Sequence, residues 1–312
     1  MILVHTSGGR TGNQVLFLSN LIASALEYGF PFINVCFKSS EYFEHVNSGS
    51  MRNLYSSKCV WILWRFFFLK KLHPLLRLLG IRFLNDTHCH PDKGLNQILD
   101  SQQNGWLTVM HVWPYADYAS LYKHQDTVRQ LLHPKTLYIE NARRILSRLR
   151  TNDCIIIGVH VRRTDYKEWN NGKYFYSIEK YAALMRQLSR IDNRRMVFVV
   201  CSDEDLSESS FESSEATIYI SKNDYMTDLS LLAQCDYIIG PPSTFASYAS
   251  FYGNTPRFTI YPDTTGIESF SQFGVSLIDY DDTFETYQGE QIISRMHIML
   301  KNGDITEIYH KA

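Results

Sequence analysis

An excess of charge of either sign is missing from this chain: 31 lysines and arginines stand against 32 aspartates and glutamates, a formal charge of -1 at pH 7. No global basic field exists to hold a nucleic-acid backbone, so an anionic partner must be caught locally. Cysteine is sparse and scattered. Cys36, Cys59, Cys89, Cys154, Cys201 and Cys235 include no pair at zinc-knuckle or redox spacing, so reduced, buried thiols are expected. Metal-ligand patterns are equally thin. Thr87-His88-Cys89-His90 has no partner pair at ligand spacing and Asp281-Asp282 no placed context, so both read as surface features and no metal is expected. Residues 1–9 lack the charged region, apolar core and cleavage site of a signal peptide, which points to the cytoplasm. What the chain does have is 45% hydrophobic and 14% aromatic content, which excludes disorder and supports a large core.

One stretch lacks acid altogether. Residues 61–82 read WILWRFFFLKKLHPLLRLLGIR, with Arg65, Lys70, Lys71, Arg77 and Arg82 among aromatics and leucines. Charges this frequent, and Pro74, exclude a spanning helix. Two readings stay open: a basic amphipathic segment lying on anionic lipid, or two core helices broken at His73-Pro74.

The length fits two compact domains, and the expected boundaries are 1–150, 151–265 and a tail, 266–312, packing back across them. Ile2 to Thr6 reads as a strand, Gly8 to Gly12 as a glycine turn, and Asn13 to Tyr28 as a helix capped by Asn13. Further strands are expected at Phe32 to Phe37 and Trp106 to Val112, and a helix at Leu137 to Leu149. From 153 onward, strands (155–161, 196–201, 217–220, 237–240) alternate with helices (178–189, 226–233, 243–252). That alternation specifies a parallel sheet covered on both faces. Such sheets bind ligands at the carboxyl ends of their strands. The segments 162–165, 202–205 and 241–244 each follow a strand directly, so they should share one rim.

The rim chemistry suits an anion. His160 and Arg162 alternate onto one face, while Arg163 points elsewhere. The planar fork of Arg162 matches a phosphate; the competing role is a structural Arg–Asp pair with Asp165, which would suit Arg163 better. Ser243, Thr244 and Phe245 open a helix, where free N–H groups and the dipole favour phosphate, although Ser243 or Thr244 could serve only as an N-cap. Asp203 could accept from a purine edge or ribose, or could belong to a solvated acidic turn. Gly8 to Gln14 lacks the Lys-Ser/Thr ending of a Walker loop and dinucleotide-fingerprint spacing; it reads as a tight turn allowing close approach, with Gly12 and Asn13 as donor-side candidates.

Together, GGRTGNQ near the N-terminus, HVRRTDY at 160–166, CSDED at 201–205 and DLSLLAQCDYIIGPPSTFASYASF at 228–251 resemble the α1,2-fucosyltransferases of glycosyltransferase family 11. The His-x-Arg-Arg-x-Asp element is similar to that of the wider α1,6- and protein O-fucosyltransferases. The resemblance implies an α/β, GT-B-like fold, two Rossmann-like domains facing a central cleft, and an inverting, metal-independent transfer of fucose from GDP-fucose to a glycan hydroxyl, α1,2 to a galactoside. It further implies Arg162 on the β-phosphate with His160 and Arg163 beside it, Asp203 on the guanine, Ser243-Thr244-Phe245 along the diphosphate, and no cofactor beyond the donor. Asp165 and Glu168 are the candidates for the general base. The pattern departs from the family at Thr164, where Gly is usual, and at Ala246 to Tyr248, which lacks its tryptophans; acceptor and linkage are the properties touched. Alternatives are another GDP-sugar transfer, a different fucosyl linkage, or a non-catalytic nucleotide-sugar binding module. Residues 1–150 would serve the acceptor and 151–265 the donor.

Overall fold

The computed structural model describes residues 1–4, 9–35, 37–46, 51–53, 72–84, 106–111, 115–211, 216–280, 284–285 and 292–311. Two compact units form: 1–133 with 280–297 and 308–312, and 134–279 with 298–307. The division after 133 puts the 136–149 helix in the second unit, whereas the sequence expectation placed the boundary after 150. The hydrogen-bonding reason is visible: Gln234 Nε2 donates to Ile139 O (3.3 Å), and Arg150 pairs with Asp236 (3.0 Å).

In the first unit, β1 (Ile2–Val4), β2 (Phe32–Asn34), β3 (Met51–Asn53), β4 (Ile81–Leu84) and β5 (Leu107–Met110) form a sheet in the order β3-β2-β1-β5-β4, with every pairing parallel. Helix α1 (Thr11–Tyr28) starts two residues before the expected Asn13 cap; Arg10 is its N-cap and provides no side-chain bond. Its end is conventional, with Gly29 at φ 69° donating back to Ala25 O. A short helix, α2 (His73–Leu78), carries Pro74 in its first turn, where the missing N–H costs nothing. The His73-Pro74 break is therefore a helix start. Two more helices, α3 (Tyr118–Lys123) and α4 (Gln125–Leu131), complete the described part of this unit.

In the second unit, after α5 (Thr136–Leu149), come β6 (Cys154–Val161), α6 (Ile178–Leu188), β7 (Arg195–Ser202), β8 (Thr217–Ile220), α7 (Tyr225–Gln234), β9 (Tyr237–Gly240), α8 (Thr244–Gly253) and β10 (Arg257–Thr259). The sheet order is β10-β9-β6-β7-β8, again all parallel. Both faces of β6 and β7 are covered, and Ile157, Val159, Phe198 and Val200 are fully buried. Each such side chain contributes about 1.5–3 kcal/mol by leaving water. The chain winds outward from β6 through β7 to β8, then returns to β9 on the other side of β6. The strand order thus reverses between β6 and β9, which opens a crevice at their carboxyl ends.

The remaining strands, β11 (Val275–Tyr280), β12 (Phe284–Glu285), β13 (Ile292–Lys301) and β14 (Asp304–Lys311), form a third sheet ordered β11-β13-β12 with β14 on β13. The β12–β13 pair is antiparallel, and the sequence reading held no strand beyond 265. Residues 61–71, Thr87 to His90, Asp281-Asp282, Cys36, Cys59, Cys89 and residues 5–8 lie outside the described residues. Among those described, Cys201 and Cys235 are free thiols, buried as expected, whose pKa burial pushes up, whereas Cys154 is free and only half-buried.

Candidate active site

The strand-order reversal brings the end of β6 beside the end of β9. A Cβ on Gly240 would lie 2.8 Å from His160 O and 2.9 Å from His160 Cβ, so only glycine lets the strands close here. His160 is buried and stacks on Phe245, with ring centroids 5.6 Å apart. Neither ring nitrogen has a hydrogen-bond partner among the described residues. Burial first, then the cations Arg162 and Arg257, push its pKa down to about 3, so the ring is neutral at physiological pH. A buried imidazole with two orphan nitrogens is incomplete without a ligand group.

Two residues on, Arg162 leaves the strand and is held by Asp165 at two points, Nε to Oδ1 at 2.9 Å and Nη2 to Oδ2 at 2.6 Å. Burial alone would lower the guanidinium pKa, but the Asp165 bond and neighbouring Tyr166, Asp165 and Asp203 raise it on balance. The charge is therefore fixed. This corrects the expectation that Asp165 would suit Arg163: the three-residue return of the loop brings Asp165 under Arg162. Arg163 instead turns away, with Nε 2.9 Å from Glu204 Oε2, Nη1 donating to Tyr176 O at 3.2 Å, and its guanidinium 4.6 Å over the Phe175 ring.

Asp203 sits at the carboxyl end of β7 and fastens the turn after β6. Its Oδ1 accepts from the N–H groups of Arg163 (2.8 Å) and Thr164 (3.3 Å), and its Oδ2 accepts from Thr164 Oγ1 (2.5 Å). Thr164 thus has a local role as a second tie to Asp203.

Three helices follow strands of this sheet, and they begin differently. Ser177 caps α6 by accepting from Lys180 N, and Asp224 caps α7 by accepting from Met226 N and Thr227 N. Ser243 is the N-cap of α8 but makes no capping bond, and its buried hydroxyl has no partner among the described residues. An uncapped helix start with an orphan hydroxyl, at the strand-order reversal of the sheet whose β6 leads into Arg162, has the free N–H groups and dipole end that suit an anion.

Several supports were not legible as such in the sequence. Arg257 is completely buried, donating from Nη1 to Ser247 Oγ (2.7 Å) and from Nη2 to Pro241 O (2.5 Å), so it braces α8 and the loop after β9. Tyr166 donates its hydroxyl to Pro242 O. Asp228, in the first turn of α7, is a buried carboxyl hydrogen-bonded by Ser221, and burial pushes its pKa up to about 7. A buried Arg or Asp has no one-dimensional signature when its partners lie at other strand ends. The structure therefore assembles His160, Arg162, Asp165, Asp203, Ser243 and Phe245 within one unit. Glu168 is exposed on the same loop. Gly12 and Asn13 lie in the first unit, where Asn13 covers Gly9, itself at φ 65°, and Gln14 links Gly9 O to Lys38 N. No group of three or more potential metal ligands occurs among the described residues.

Comparison with solved structures finds the same architecture in a mutant of FUT1 from Arabidopsis thaliana in complex with GDP, with a TM-score of 0.57, 15% identity, and coverage of 91% of this chain and 76% of that one. POFUT1 in complex with GDP gives 0.51 at 13% identity, covering 83% and 98%. NodZ α-1,6-fucosyltransferase soaked with GDP-fucose gives 0.50 at 13% identity, covering 83% and 94%. At such identities the likeness is one of fold, and that fold is GT-B-like α/β. A search of curated protein sequences gave no match. The family model described as Glycosyl transferase family 11 matches residues 103–272, a span that holds His160, Arg162, Asp165, Asp203, Ser243 and Phe245. Matched over more than half its length, the chain belongs to glycosyl transferase family 11 and is a glycosyltransferase.

Proposed function

We propose that this glycosyltransferase moves fucose from GDP-fucose to a hydroxyl of a glycan acceptor, α1,2 to a galactoside, with inversion and without a metal. The observation that carries the reading is the convergence of a fixed guanidinium (Arg162), a neutral buried imidazole with orphan nitrogens (His160) and an uncapped helix start (Ser243) at one crevice. The family and the solved relatives bound to GDP or GDP-fucose support the donor.

The chemistry follows from charge. As the glycosidic bond breaks, the β-phosphate gains negative charge, and preplaced donors stabilise that state more than the ground state. In this reading Arg162 and the first-turn amides of α8 receive the developing charge, with Ser243 and Thr244 along the diphosphate and Phe245 and His160 as its apolar and polar walls. The fixed Arg162 charge fills the place a metal would take. Asp203 holds the turn carrying Arg162 and offers its remaining lone pairs to the guanine. Asp165, whose oxygens keep lone pairs beyond the Arg162 bonds, and Glu168, exposed on the same loop, are the carboxylates placed to take the acceptor proton. Residues 151–265 serve the donor and residues 1–150 the acceptor, while Gly12 and Asn13 keep the donor-side role that their sequence suggests.

The 61–82 segment would bring the enzyme to a lipid surface from the cytoplasm. Its described part exposes Leu75, Leu78 and Leu79 beside Arg77 and Arg82, with Trp106 donating to Leu79 O at 2.7 Å. No described helix is long and apolar enough to cross a membrane.

Calorimetric titration with GDP, GDP-fucose, GDP-mannose and UDP-galactose in EDTA tests the donor assignment. Guanine-diphosphate binding in EDTA that favours the fucosyl donor is the expected result. A folded protein that binds neither GDP nor GDP-fucose removes the reading.

A further inference from the structure

The loop between β6 and α6 carries a feature the donor site does not use. Trp169 is 40% exposed, yet its indole is fixed from beneath by two buried rings, Tyr166 at 4.9 Å and Tyr174 at 5.5 Å between centroids. The backbone N–H of Trp169 donates to Asp165 O at 2.9 Å, which sets where the residue leaves the loop. Three successive left-handed residues follow, Asn170 (φ 49°), Asn171 (φ 54°) and Gly172 (φ 73°). Asparagine is the non-glycine residue that enters that region most readily, so the sequence suits this turn. The turn is closed by Lys173 N to Asn170 O (3.1 Å) and Phe175 N to Gly172 O (3.0 Å).

The position of this indole matters as much as its rigidity. Tyr166 lies between Trp169 and Arg162, whose guanidinium stands 4.9 Å from the Tyr166 ring centroid, and the Tyr166 hydroxyl bonds Pro242 O, next to Ser243. Trp169 is therefore one ring away from the guanidinium of the anion site and tied to the loop that opens α8. A single exposed aromatic is ordinary. An exposed indole packed on two buried tyrosines, at a tight turn one ring from the guanidinium of Arg162, is a preorganised flat surface. Its border is polar, with Glu168, Asn170 and Asn171 exposed around it.

We propose that Trp169 is the stacking platform for a pyranose ring of the acceptor, and that the ligand class is a β-galactoside or another sugar with one apolar C–H face. The face of the ring lies on the indole, while Asn170 and Asn171 border its hydroxyls. This rests on the donor site proposed above for its place in the reaction, but the platform itself is a sugar-binding site with its own readout. A pyranose stacked here is brought to the side of Arg162, where the anomeric carbon of a bound donor would be presented.

The test uses the whole chain with GDP, probed by methyl β-galactoside and lactose in saturation-transfer NMR, on wild type, Trp169→Ala, Trp169→Leu and Trp169→Phe. Saturation concentrated on the protons of the apolar sugar face is expected in wild type. Affinity for the sugar should fall at least tenfold in the Ala and Leu variants and be largely kept in Phe, with GDP affinity unchanged within twofold. The Leu variant keeps apolar contact with Tyr166 and Tyr174, so it decides the question if the Ala variant does not fold. Equal sugar binding in the wild type and the Leu variant overturns the platform, as does a GDP-bound wild type that saturates neither sugar; in both cases the donor site stands. Sugar binding lost with Trp169 in a protein that binds no GDP has the opposite meaning: the platform holds and the fucosyl-donor reading falls.

Discussion

Arg162 and Asp165 form a two-point pair, with both carboxylate oxygens engaged and Nη1 left outside it. The pair fixes the plane of the guanidinium, so the proposed donor phosphate would meet an oriented fork and not a free rotor. Arg162→Lys retains charge but loses this geometry, and GDP affinity should drop about 10- to 100-fold, or about 1.4–2.8 kcal/mol. Asp165→Asn should leave GDP binding within about tenfold while lowering kcat, because the charge stays but its orientation relaxes. Calorimetry and steady-state kinetics on the two variants separate loss of the guanidinium fork from loss of its orientation. Wild-type affinity in the Lys variant would contradict the assignment.

Gly240→Ala should destabilise the second unit by about 1–3 kcal/mol, the usual cost of forcing an extra methyl into a packed interior. The added carbon meets His160 backbone, which cannot rotate away as a long side chain could. Chemical denaturation gives the number. A neutral effect would mean that β6 and β9 separate freely, and that the crevice is looser than the geometry describes.

Strands β6 and β7 were readable because they are continuous apolar runs, as strands buried on both faces must be; the 217–220 and 237–240 expectations match β8 and β9 residue for residue, although β8 is half-buried, and β10 was not expected. His160 and Arg162 were legible from strand parity, and Ser243 from its place between a strand and a helix. The partner of Arg162 was not. Alternation gives direction along a strand, but the loop beyond it turns back, and only tertiary geometry shows Asp165 beneath Arg162 and Glu204 against Arg163. The start of α1 was misplaced for a local reason: Asn13 is a good capping residue type, yet here it lies inside the helix and covers Gly9. Strands β11 to β14 were missed because polar and charged residues interrupt their apolar ones, without the continuous run of a strand buried on both faces.

Asp203→Asn tests whether this carboxylate anchors the turn or reads the base. Its two oxygens accept three hydrogen bonds from Arg163 and Thr164, of which an amide oxygen can keep only part. If anchoring dominates, binding of GDP and of inorganic pyrophosphate should weaken by the same factor, because both depend on Arg162. If guanine contact dominates, GDP alone should weaken, by roughly tenfold or more. Direct titration of both ligands distinguishes the two. Equal and undiminished binding would remove Asp203 from either role.

His160 and Asp228 make opposite demands on pH. The folded chain holds His160 neutral, its pKa pushed down to about 3 by burial and by the cations Arg162 and Arg257. The unfolded chain takes up that proton below about pH 6.5, so this group makes stability fall on acidification, by at most about 1.4 kcal/mol per pH unit. Asp228, pushed up to about 7 chiefly by burial, holds a proton in the folded chain that the unfolded chain releases above about pH 4. Its contribution therefore grows on acidification over the same interval, and the two slopes oppose each other between about pH 4 and 6.5. Asp228→Asn should expose the His160 slope, making the variant lose stability relative to wild type as pH falls from 6.5 to 4. His160→Gln should expose the Asp228 slope and gain relative stability over that interval. Urea unfolding at pH 4.5, 5.5 and 6.5, read as variant minus wild type, cancels the titration of other carboxylates common to all. Slopes of the same sign in the two variants would show that at least one of these groups is not held in the protonation state its burial dictates.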